Sequence, residues 1–404
     1  MKRLPITARP DFQEKIEADG LLWSVTENGP YWNEAMTQPV YYELTELEQT
    51  ELEMAATVIH AACIGSITWM IEEADEATRE LWFDRFGIPT HYRQYIIDSW
   101  NKDEWSMYGR FDFVLTKDGP RLLEYNADTP TTMLETALSQ WNWFRDNEQQ
   151  FGQHFQFNEL HEALVRHWAD MKKDNGVEGP VHFAAFSQID DLSTVAYMAE
   201  TAKEAGIDVH MLPIEQIGWN GQEFTDPNET PIKNCFKLYP WEWMVEDEFG
   251  DVVPQADTRW IEAPWKMLLA NKAILALLWE RHPEIEYLVP CYIGENEFGT
   301  TGFNPKPGEK WVTKPLLSRE GMNVKIWEID QDGIANIVEG VDGDYDETEF
   351  VYQQYIEWNP IDNVYPMMGV WMVGDDAVAL GIREDDSVIT QNNSRFIPHV
   401  VKNG

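Results

Sequence analysis

Polar and apolar residues alternate most clearly in the stretch GRFDFVLTKDGPRLLEYNAD, residues 109–128. Two apolar and aromatic runs, residues 111–116 and 121–125, flank the tetrapeptide Lys-Asp-Gly-Pro at residues 117–120. An Asp-Gly pair between two such runs is a strong signal for a tight turn between antiparallel strands. The pattern therefore predicts a β-hairpin.

Apolar residues at helical spacing mark residues 44–70, 77–86 and 132–144. The third segment follows Asp-Thr-Pro-Thr-Thr at residues 128–132, which is typical of a capped helix start with hydroxyl and N–H groups free to hold an anion. A simple N-cap explains these residues better. The pattern predicts three helices and leaves the anion site open.

Short apolar runs alternate with a helical segment from residue 180 onward. Strand patterns cover residues 181–186, 207–212 and 236–239, a helix pattern covers residues 192–205, and the polar stretch 218–229 predicts a surface loop. This alternation predicts a small parallel-sheet domain.

The last third contains a helix pattern over residues 271–279 that starts at Asn271, a favoured N-cap residue. Lys272 then lies in the first turn, where a cation opposes the helix dipole unless an anion lies nearby. Lys272 is therefore a weak indication of an anion site.

A second hairpin is predicted from strand patterns at residues 311–315 and 322–328, joined through the polar loop 318–321. Lys314 ends the first of these strands, and Arg383 lies in a Gly-Ile-Arg sequence near the C-terminus. Either cation could contact a phosphate. Taken singly, each is better explained as an ordinary surface charge.

Composition limits the class of protein. A length of 404 residues with 43% hydrophobic residues predicts a globular protein of two or three domains. The net charge of −41 would repel a phosphate backbone, which excludes nucleic acid as a partner. The charge favours cationic amines near the surface, although solubility explains it better. The 19 tryptophans fall mainly in apolar runs and indicate core packing.

Targeting signals and cysteine spacing indicate the compartment. No segment approaches about 18 consecutive apolar residues, and the N-terminus lacks the apolar stretch of a signal peptide. We therefore expect a cytoplasmic protein without a membrane span. Cys63, Cys235 and Cys291 are far apart with no Cys-x-x-Cys pair, which predicts reduced, packed cysteines.

The first predicted hairpin carries candidate chemistry. Arg110 and Asp112 are two residues apart, as are Glu124 and Asn126, and side chains at this spacing project from the same face of a strand. Mg²⁺ takes oxygen ligands from one or two carboxylates plus substrate phosphates. The four side chains could thus form one wall suited to Mg·ATP, although a solvated hairpin with surface charges explains the spacing equally well.

Six short sequences occur in the order GRFDF, EYNADTPT, NKAIL, VTKP, VYQQY and GIR. In this order the chain resembles the synthetase part of the glutathionylspermidine synthase family of ATP-grasp acid–amine ligases, over approximately residues 10–398. Any one of these short sequences alone would be weak evidence for the resemblance, whereas six in this order are specific evidence for it. The chain begins where the synthetase region begins, so we expect no amidase domain with its nucleophilic cysteine.

The resemblance implies an α+β or α/β chain with a permuted ATP-grasp fold. Residues 1–178 would hold a helical region and the metal-binding hairpin of the core. Residues 179–263 would form a small parallel-sheet, pre-ATP-grasp-like substrate domain, and residues 264–404 would form the lysine-bearing nucleotide-binding region. ATP would activate a carboxylate as an acyl phosphate, which an amine attacks. Members of the family form dimers, so the resemblance implies a homodimer.

The resemblance also implies roles for individual residues. Two Mg²⁺ ions would bind to Asp112, Glu124 and Asn126, and the ATP contacts would be Arg110, Asp112, Lys272, Lys314, Gln353, Gln354, Tyr355 and Ile356. Arg110 would meet the transferring phosphoryl group and Arg383 the acyl phosphate. The loop 318–321 would be a mobile cover over the nucleotide.

The acid substrate is implied less specifically. Thr129 and Thr131 stand where the family places small hydroxyl residues near a thiol tripeptide. Leu238 and Trp243 replace threonines of a family sequence in the middle domain, which leaves glutathione and spermidine themselves open.

Acidic residues are the candidate contacts for an amine. Asp190 and Asp191 lie near where family members use acidic side chains, and Glu242 is a comparable candidate. A capped helix start at Leu192 explains the first two equally well.

The sequence therefore predicts an ATP- and Mg²⁺-dependent ligase that joins a small-molecule or peptide carboxylate to an amine, with polyamines among the candidates. One alternative is a catalytically silent nucleotide-binding module that acts through a partner. Another is a metal-dependent phosphohydrolase, which would release phosphate without an acceptor.

Overall fold

The computed structural model describes residues 1–26, 29–174, 176–177, 179–295, 303–345, 349–391 and 394–403, and within these ranges the chain has a mixed α/β fold. Its α-helices are α1 (Phe12–Ala18), α2 (Glu46–Thr68), α3 (Glu76–Arg85), α4 (Thr90–Asn101), α5 (Gln140–Phe151), α6 (Leu160–Lys173), α7 (Ile189–Glu204), α8 (Trp241–Glu246), α9 (Lys266–Leu269) and α10 (Ala273–Arg281). Its strands are β1 (Lys2–Pro5), β2 (Val25–Thr26), β3 (Gly29–Pro30), β4 (Val40–Thr45), β5 (Tyr108–Thr116), β6 (Gly119–Asn126), β7 (His154–Phe155), β8 (Val181–Ala185), β9 (Val209–Pro213), β10 (Gly218–Trp219), β11 (Phe224–Thr225), β12 (Asn234–Leu238), β13 (Arg259–Ile261), β14 (Cys291–Glu295), β15 (Lys310–Pro315), β16 (Lys325–Ile329), β17 (Ala335–Gly340), β18 (Glu349–Gln354), β19 (Tyr365–Val373), β20 (Asp376–Asp385), β21 (Arg395–Phe396) and β22 (His399–Lys402). Short 3₁₀ turns cover Asn33–Ala35, Ile214–Gln216 and Gly250–Gln255, and π-helical turns cover Trp69–Glu73 and Glu135–Ser139.

Three sheets frame the candidate site. We name the five-stranded antiparallel sheet of order β21-β20-β19-β5-β6 the hairpin sheet, and the five-stranded antiparallel sheet of order β14-β18-β15-β16-β17 the lysine sheet. The parallel sheet has the order β13-β12-β8-β9. A fourth sheet, of order β1-β4-β22-β7, brings the two ends of the chain together.

The first predicted hairpin is confirmed as β5 and β6. Arg110 lies opposite Asn126, and Asp112 lies opposite Glu124. Gly119 has a φ of +95°, a left-handed conformation that glycine adopts without strain. The turn starts the pairing, and a β-bulge between Asp112 and Phe113 then shifts the register by one residue, which brings the four polar side chains together.

The second hairpin is confirmed as β15 and β16, although β16 begins at Lys325 and not at residue 322. The first two predicted helices are confirmed as α2 and α3. Thr45 starts α2 through a capping box, because its hydroxyl accepts from the Glu48 N–H while the Glu48 carboxylate accepts from the Thr45 N–H.

The third predicted helix is present as the π-helical turn Glu135–Ser139 followed by α5. Asp128 does not cap it, so that part of the prediction is wrong. The Asp128 carboxylate instead accepts from Lys237 Nζ and from the Trp241 N–H, both at 2.8 Å. The chain after β6 is thereby anchored to the parallel sheet.

The predicted α/β alternation is confirmed by β8, α7, β9 and β12, which belong to the parallel sheet and its covering helix. Helix α7 begins at Ile189, so Asp190 and Asp191 lie in its first turn and not before it. The stretch 218–229 is not a plain loop, because β10 and β11 pair within it. Two-residue strands are too short to leave an alternating pattern.

The core holds many of the tryptophans, as predicted. Trp32, Trp82, Trp143, Trp168, Trp241, Trp260 and Trp371 are all essentially inaccessible to solvent. The three cysteines are buried and unpaired. By length and composition the segment Glu46–Glu73 could cross a membrane, but 56% of its apolar window is buried inside the fold, and a core helix passes the same test.

Candidate active site

One pocket lies between the hairpin sheet and the lysine sheet and collects most of the predicted site residues. Those that line it are Arg110, Glu124, Asn126, Thr129, Thr131, Lys272, Lys314, Gln353, Gln354, Tyr355, Ile356 and Arg383. They come from both sheets, from the start of α10 and from the chain after β6. Their convergence is thus a property of the tertiary fold.

Two side chains join the sheets at the base of this pocket. Lys314 Nζ donates to the Leu123 carbonyl at 2.9 Å and to Gln353 Oε1 at 2.8 Å. Gln353 Nε2 donates to the Leu122 carbonyl at 2.9 Å. These bonds fix the lysine sheet against β6.

Positive charge is concentrated in this first pocket, which we name the cationic pocket. Five of the 30 Lys and Arg residues of the chain line it: Arg110, Lys272, Lys314, Arg319 and Arg383. The protein as a whole carries a net charge of −41. Such a local reversal of sign favours the binding of an anionic ligand.

Asp112 lies beneath the pocket wall and is fully buried. Arg110 Nε donates to its Oδ1 at 2.6 Å, and Arg110 Nη2 donates to its Oδ2 at 2.9 Å. Gly369 on β19 permits this arrangement, since a Cβ there would lie 2.8 Å from Arg110 Cδ. Charge-assisted bidentate pairs of this kind are strong and fix orientation.

Glu124 lies between the two lysines of the pocket. Lys272 Nζ is 3.8 Å from Glu124 Oε2, and Asn126 Nδ2 donates to Glu124 Oε1 at 3.2 Å. Burial alone would raise the pKa of Glu124, but the charges of Lys272 and Lys314 lower that pKa to about 2. The carboxylate is therefore ionised at neutral pH, while burial lowers the pKa of both lysines.

The chemistry of Asp112, Glu124 and Asn126 fits Mg²⁺. Two carboxylates and an amide are hard oxygen donors, the set that Mg²⁺ uses together with substrate phosphates. No group of three His, Cys, Asp or Glu side chains suited to a metal occurs in the described ranges. Phosphate oxygens would have to complete the coordination.

Apolar and aromatic side chains also line the pocket. Val312 and Ile326 of the lysine sheet line it, with Met367 of β19 and the aromatic side chains of Tyr355 and Trp358. A pocket lined by cations together with apolar and aromatic side chains suits a phosphorylated heteroaromatic ligand.

The loop between β15 and β16 reaches across the pocket to α8. Arg319 Nη2 donates to Glu242 Oε1 at 2.8 Å, and Arg319 Nη1 donates to Thr129 Oγ1 at 2.7 Å. Lys272 Nζ donates to the Ser318 carbonyl at 2.6 Å. Glu242 is not among the residues that line this pocket, and its carboxylate is paired with Arg319. The sequence placed Arg319 in the predicted cover but gave it no role of its own.

A second pocket adjoins the first and shares Pro130, Thr131 and Arg383 with it. Asp190, Asp191 and Glu135 line this second pocket. Burial and the neighbouring Asp190 charge raise the pKa of Asp191 to about 6. We name this space the acidic pocket.

Comparison with known proteins identifies the family. Residues 3–402 match the family described as glutathionylspermidine synthase preATP-grasp. A Haemophilus influenzae protein described as a candidate acid–amine ligase is 36% identical, and the alignment covers 99% of each chain.

More distant similarities agree with this match. Trypanothione synthetase of Crithidia fasciculata is 26% identical over 83% of this chain, which spans only 54% of that protein. A solved glutathione-synthetase-like effector of Globodera pallida has the same overall fold, with a TM-score of 0.53 at 9% identity, over 97% of this chain and 95% of its own. The chain belongs to the glutathionylspermidine synthase family.

Proposed function

We propose that this protein is an ATP-dependent acid–amine ligase with a permuted ATP-grasp fold. The observation that carries the proposal is the pocket between two antiparallel sheets, which five cations line and in which Arg110, Arg383 and Lys272 lie against the carboxylates Asp112 and Glu124. The names of the family and of its ligase and synthetase relatives support the same reaction class.

In the first step, an oxygen of the acid substrate attacks the γ-phosphorus of ATP, which gives an acyl phosphate and ADP. This step brings two anions together, so its barrier falls when cations neutralise both. Lys272 and Lys314 would bind phosphates, and Arg110 would bind the transferring group. Asp112, Glu124 and Asn126 would hold Mg²⁺, which supplies further charge neutralisation of the triphosphate.

In the second step, the amine nitrogen attacks the acyl carbon, the bond from that carbon to the phosphate oxygen breaks, and the amine proton is released. Arg383 lines both pockets and would stabilise the departing phosphate. Water would hydrolyse an acyl phosphate, and the loop with Arg319, which donates to Thr129 and Glu242, would exclude it.

The two pockets suggest how the substrates are separated. Thr129 and Thr131 line the cationic pocket beside Arg319 and would contact the acid. Asp190 and Asp191 line the acidic pocket and would attract the ammonium group of the amine, including that of a polyamine. The buried, unpaired cysteines support a cytoplasmic enzyme, and the homodimer stays a prediction.

The defining experiment is Mg²⁺-dependent ADP and phosphate release, measured for carboxylates, including glutathione, in combination with amines, including spermidine. We expect release only when one acid and one amine are both present, with the matching amide seen by mass spectrometry. Phosphate release without an acceptor would indicate a phosphohydrolase. Nucleotide binding without release from any pair would favour the silent nucleotide-binding module.

We predict that Lys314→Ala weakens ADP binding about 10- to 100-fold, because a hydrogen bond to a charged group contributes about 1.5–3 kcal/mol. Isothermal titration calorimetry in the presence of Mg²⁺ measures the effect. Lys306→Ala, at an exposed lysine before the same strand, is the matched control and should bind ADP normally. Equal affinity of both variants would remove Lys314 from the phosphate site.

We predict that the KM for the amine rises as the pH falls below about 6, the pKa of Asp191. Above this pH the Asp191 carboxylate is charged and attracts an ammonium group, and below it the neutral acid does not. Asp191→Asn should raise the KM at pH 7 and abolish this pH dependence. Asp208→Asn, at an exposed position before β9, should keep the wild-type profile. An unchanged profile in Asp191→Asn would contradict the assignment.

A further inference from the structure

The predicted metal ligands already have cationic or N–H partners within the protein. Both oxygens of Asp112 accept from Arg110, at 2.6 and 2.9 Å, and Oδ2 also accepts from Asn126 Nδ2 at 3.2 Å. Arg383 Nη2 lies 3.6 Å from the same Oδ2. The fully buried carboxylate of Asp112 is thus balanced without a metal ion.

Asn126 also has hydrogen-bond partners within the protein where a metal ion would bind. Its amide nitrogen faces both carboxylates, since Nδ2 donates to Asp112 Oδ2 and to Glu124 Oε1, each at 3.2 Å. A metal ion would need the amide oxygen in that place. Glu124 has its own counter-cation in Lys272, at 3.8 Å.

Arg110 and a metal ion therefore compete for the same oxygen atoms. Arg110 also lines the cationic pocket, and its Nη1 already donates away from Asp112, to the Thr131 carbonyl and to Thr132 Oγ1. A polyphosphate in the pocket would offer the guanidinium a second anionic partner.

We propose that Arg110 is the counter-ion of Asp112 in the ligand-free protein and exchanges this partner for phosphate when nucleotide binds, which frees Asp112 for Mg²⁺. The exchange rests on the proposed nucleotide site. Neither half is favourable alone, because a buried carboxylate that loses its bidentate partner is costly and a metal ion beside Arg110 is repelled. Mg²⁺ and nucleotide must then bind cooperatively, each raising the affinity of the other by the same factor.

Arg110→Met separates the two roles, because it removes the competing charge and keeps much of the side-chain volume. We expect the variant to bind Mn²⁺, a spectroscopic probe for Mg²⁺, at least about tenfold more tightly than the wild-type chain without nucleotide, since removing a like charge close to the ion favours it. Electron paramagnetic resonance of free Mn²⁺ measures this affinity. Arg121→Met, on β6 of the same hairpin and outside the cluster, should bind Mn²⁺ like the wild type.

Thermal unfolding gives a second readout, because the substitution that raises metal affinity should lower the stability of the metal-free protein. Without metal, Arg110→Met should unfold at a lower temperature than the wild type, because Asp112 has lost its bidentate partner, and Mn²⁺ should raise its Tm more than that of the wild type. If the variant folds only in the presence of Mn²⁺, that dependence supports the exchange. Arg110→Lys keeps the charge with fewer donors and should bind Mn²⁺ with intermediate affinity.

The overturning result is Mn²⁺ affinity in Arg110→Met that equals or falls below that of the wild type. Calorimetry of the wild-type chain with ADP and Mg²⁺ distinguishes this failure from failure of the proposed function. If ADP binds while Arg110→Met leaves Mn²⁺ affinity unchanged, the exchange is wrong and the nucleotide site stands. If ADP does not bind the wild type, the proposed function and the exchange both fail.

Discussion

Glu124→Gln is expected to lower kcat for ADP release by about 1,000-fold or more, the largest effect of any substitution in the cationic pocket. The carboxylate is ionised, because its pKa is lowered to about 2, and it lies between Lys272 and Asn126. Glutamine keeps the size of the side chain and loses its charge. Loss of a metal ligand removes several kcal/mol of transition-state stabilisation, and each 1.36 kcal/mol is about tenfold in rate.

The measurement is steady-state ADP release with the acid and amine found in the substrate screen, together with circular dichroism to test the fold. Asp118→Asn is the matched control, because Asp118 lies exposed in the turn of the same hairpin and Asn-Gly also favours a tight turn. It should keep normal activity. A Glu124→Gln enzyme with more than about a tenth of wild-type turnover would exclude Glu124 as an essential metal ligand.

The hairpin that carries Glu124 could be predicted because its signals are local. The alternation of side chains and the Asp118-Gly119 turn predict the hairpin itself, whereas the observed pairing of Asp112 with Glu124 also requires a register shift between Asp112 and Phe113 that the alternation does not predict. The pairing of β5 with β19 could not be predicted in the same way, because it joins strands from distant parts of the chain.

The ion pairs around the site also lay beyond local sequence patterns. Arg319 and Glu242 are 77 residues apart, and Asp128 and Lys237 are 109 residues apart. A single contact between distant residues produces no periodic pattern along the chain. Local sequence therefore places Asp128 in a segment that caps a helix, whereas in the structure its carboxylate accepts from Lys237 of the parallel sheet and from the Trp241 N–H of α8.

The same contacts connect the segment after β6 to two other parts of the fold. Asp128 is fixed by Lys237, and the next residue, Thr129, accepts from Arg319 of the loop between β15 and β16. The short segment after β6 thus contacts the parallel sheet on one side and the proposed cover on the other. Closure of this proposed cover over nucleotide would therefore change the position of Thr129, which is proposed to bind the acid.

Arg383→Ala is expected to lower kcat about 100- to 1,000-fold while leaving ADP affinity within about threefold of wild type. Arg383 lies where the cationic and acidic pockets meet, so its proposed partner is the acyl phosphate that forms from the acid and the γ-phosphoryl group of ATP and is then attacked by the amine. Removing one group that stabilises developing charge typically costs this factor. Burial and the nearby Arg110 lower the pKa of Arg383, so its charge gains much from an anionic partner that appears only during the reaction.

A fall in kcat without a matching fall in nucleotide affinity distinguishes this role from simple phosphate binding. Single-turnover formation of the amide should slow in Arg383→Ala, and calorimetry with ADP and Mg²⁺ should detect little change. Arg383→Lys, which keeps the charge with fewer donors, should recover part of the rate. If Arg383→Ala instead weakens ADP binding by the same factor as kcat, Arg383 holds the nucleotide, and stabilisation of the acyl phosphate must come from another cation of the pocket.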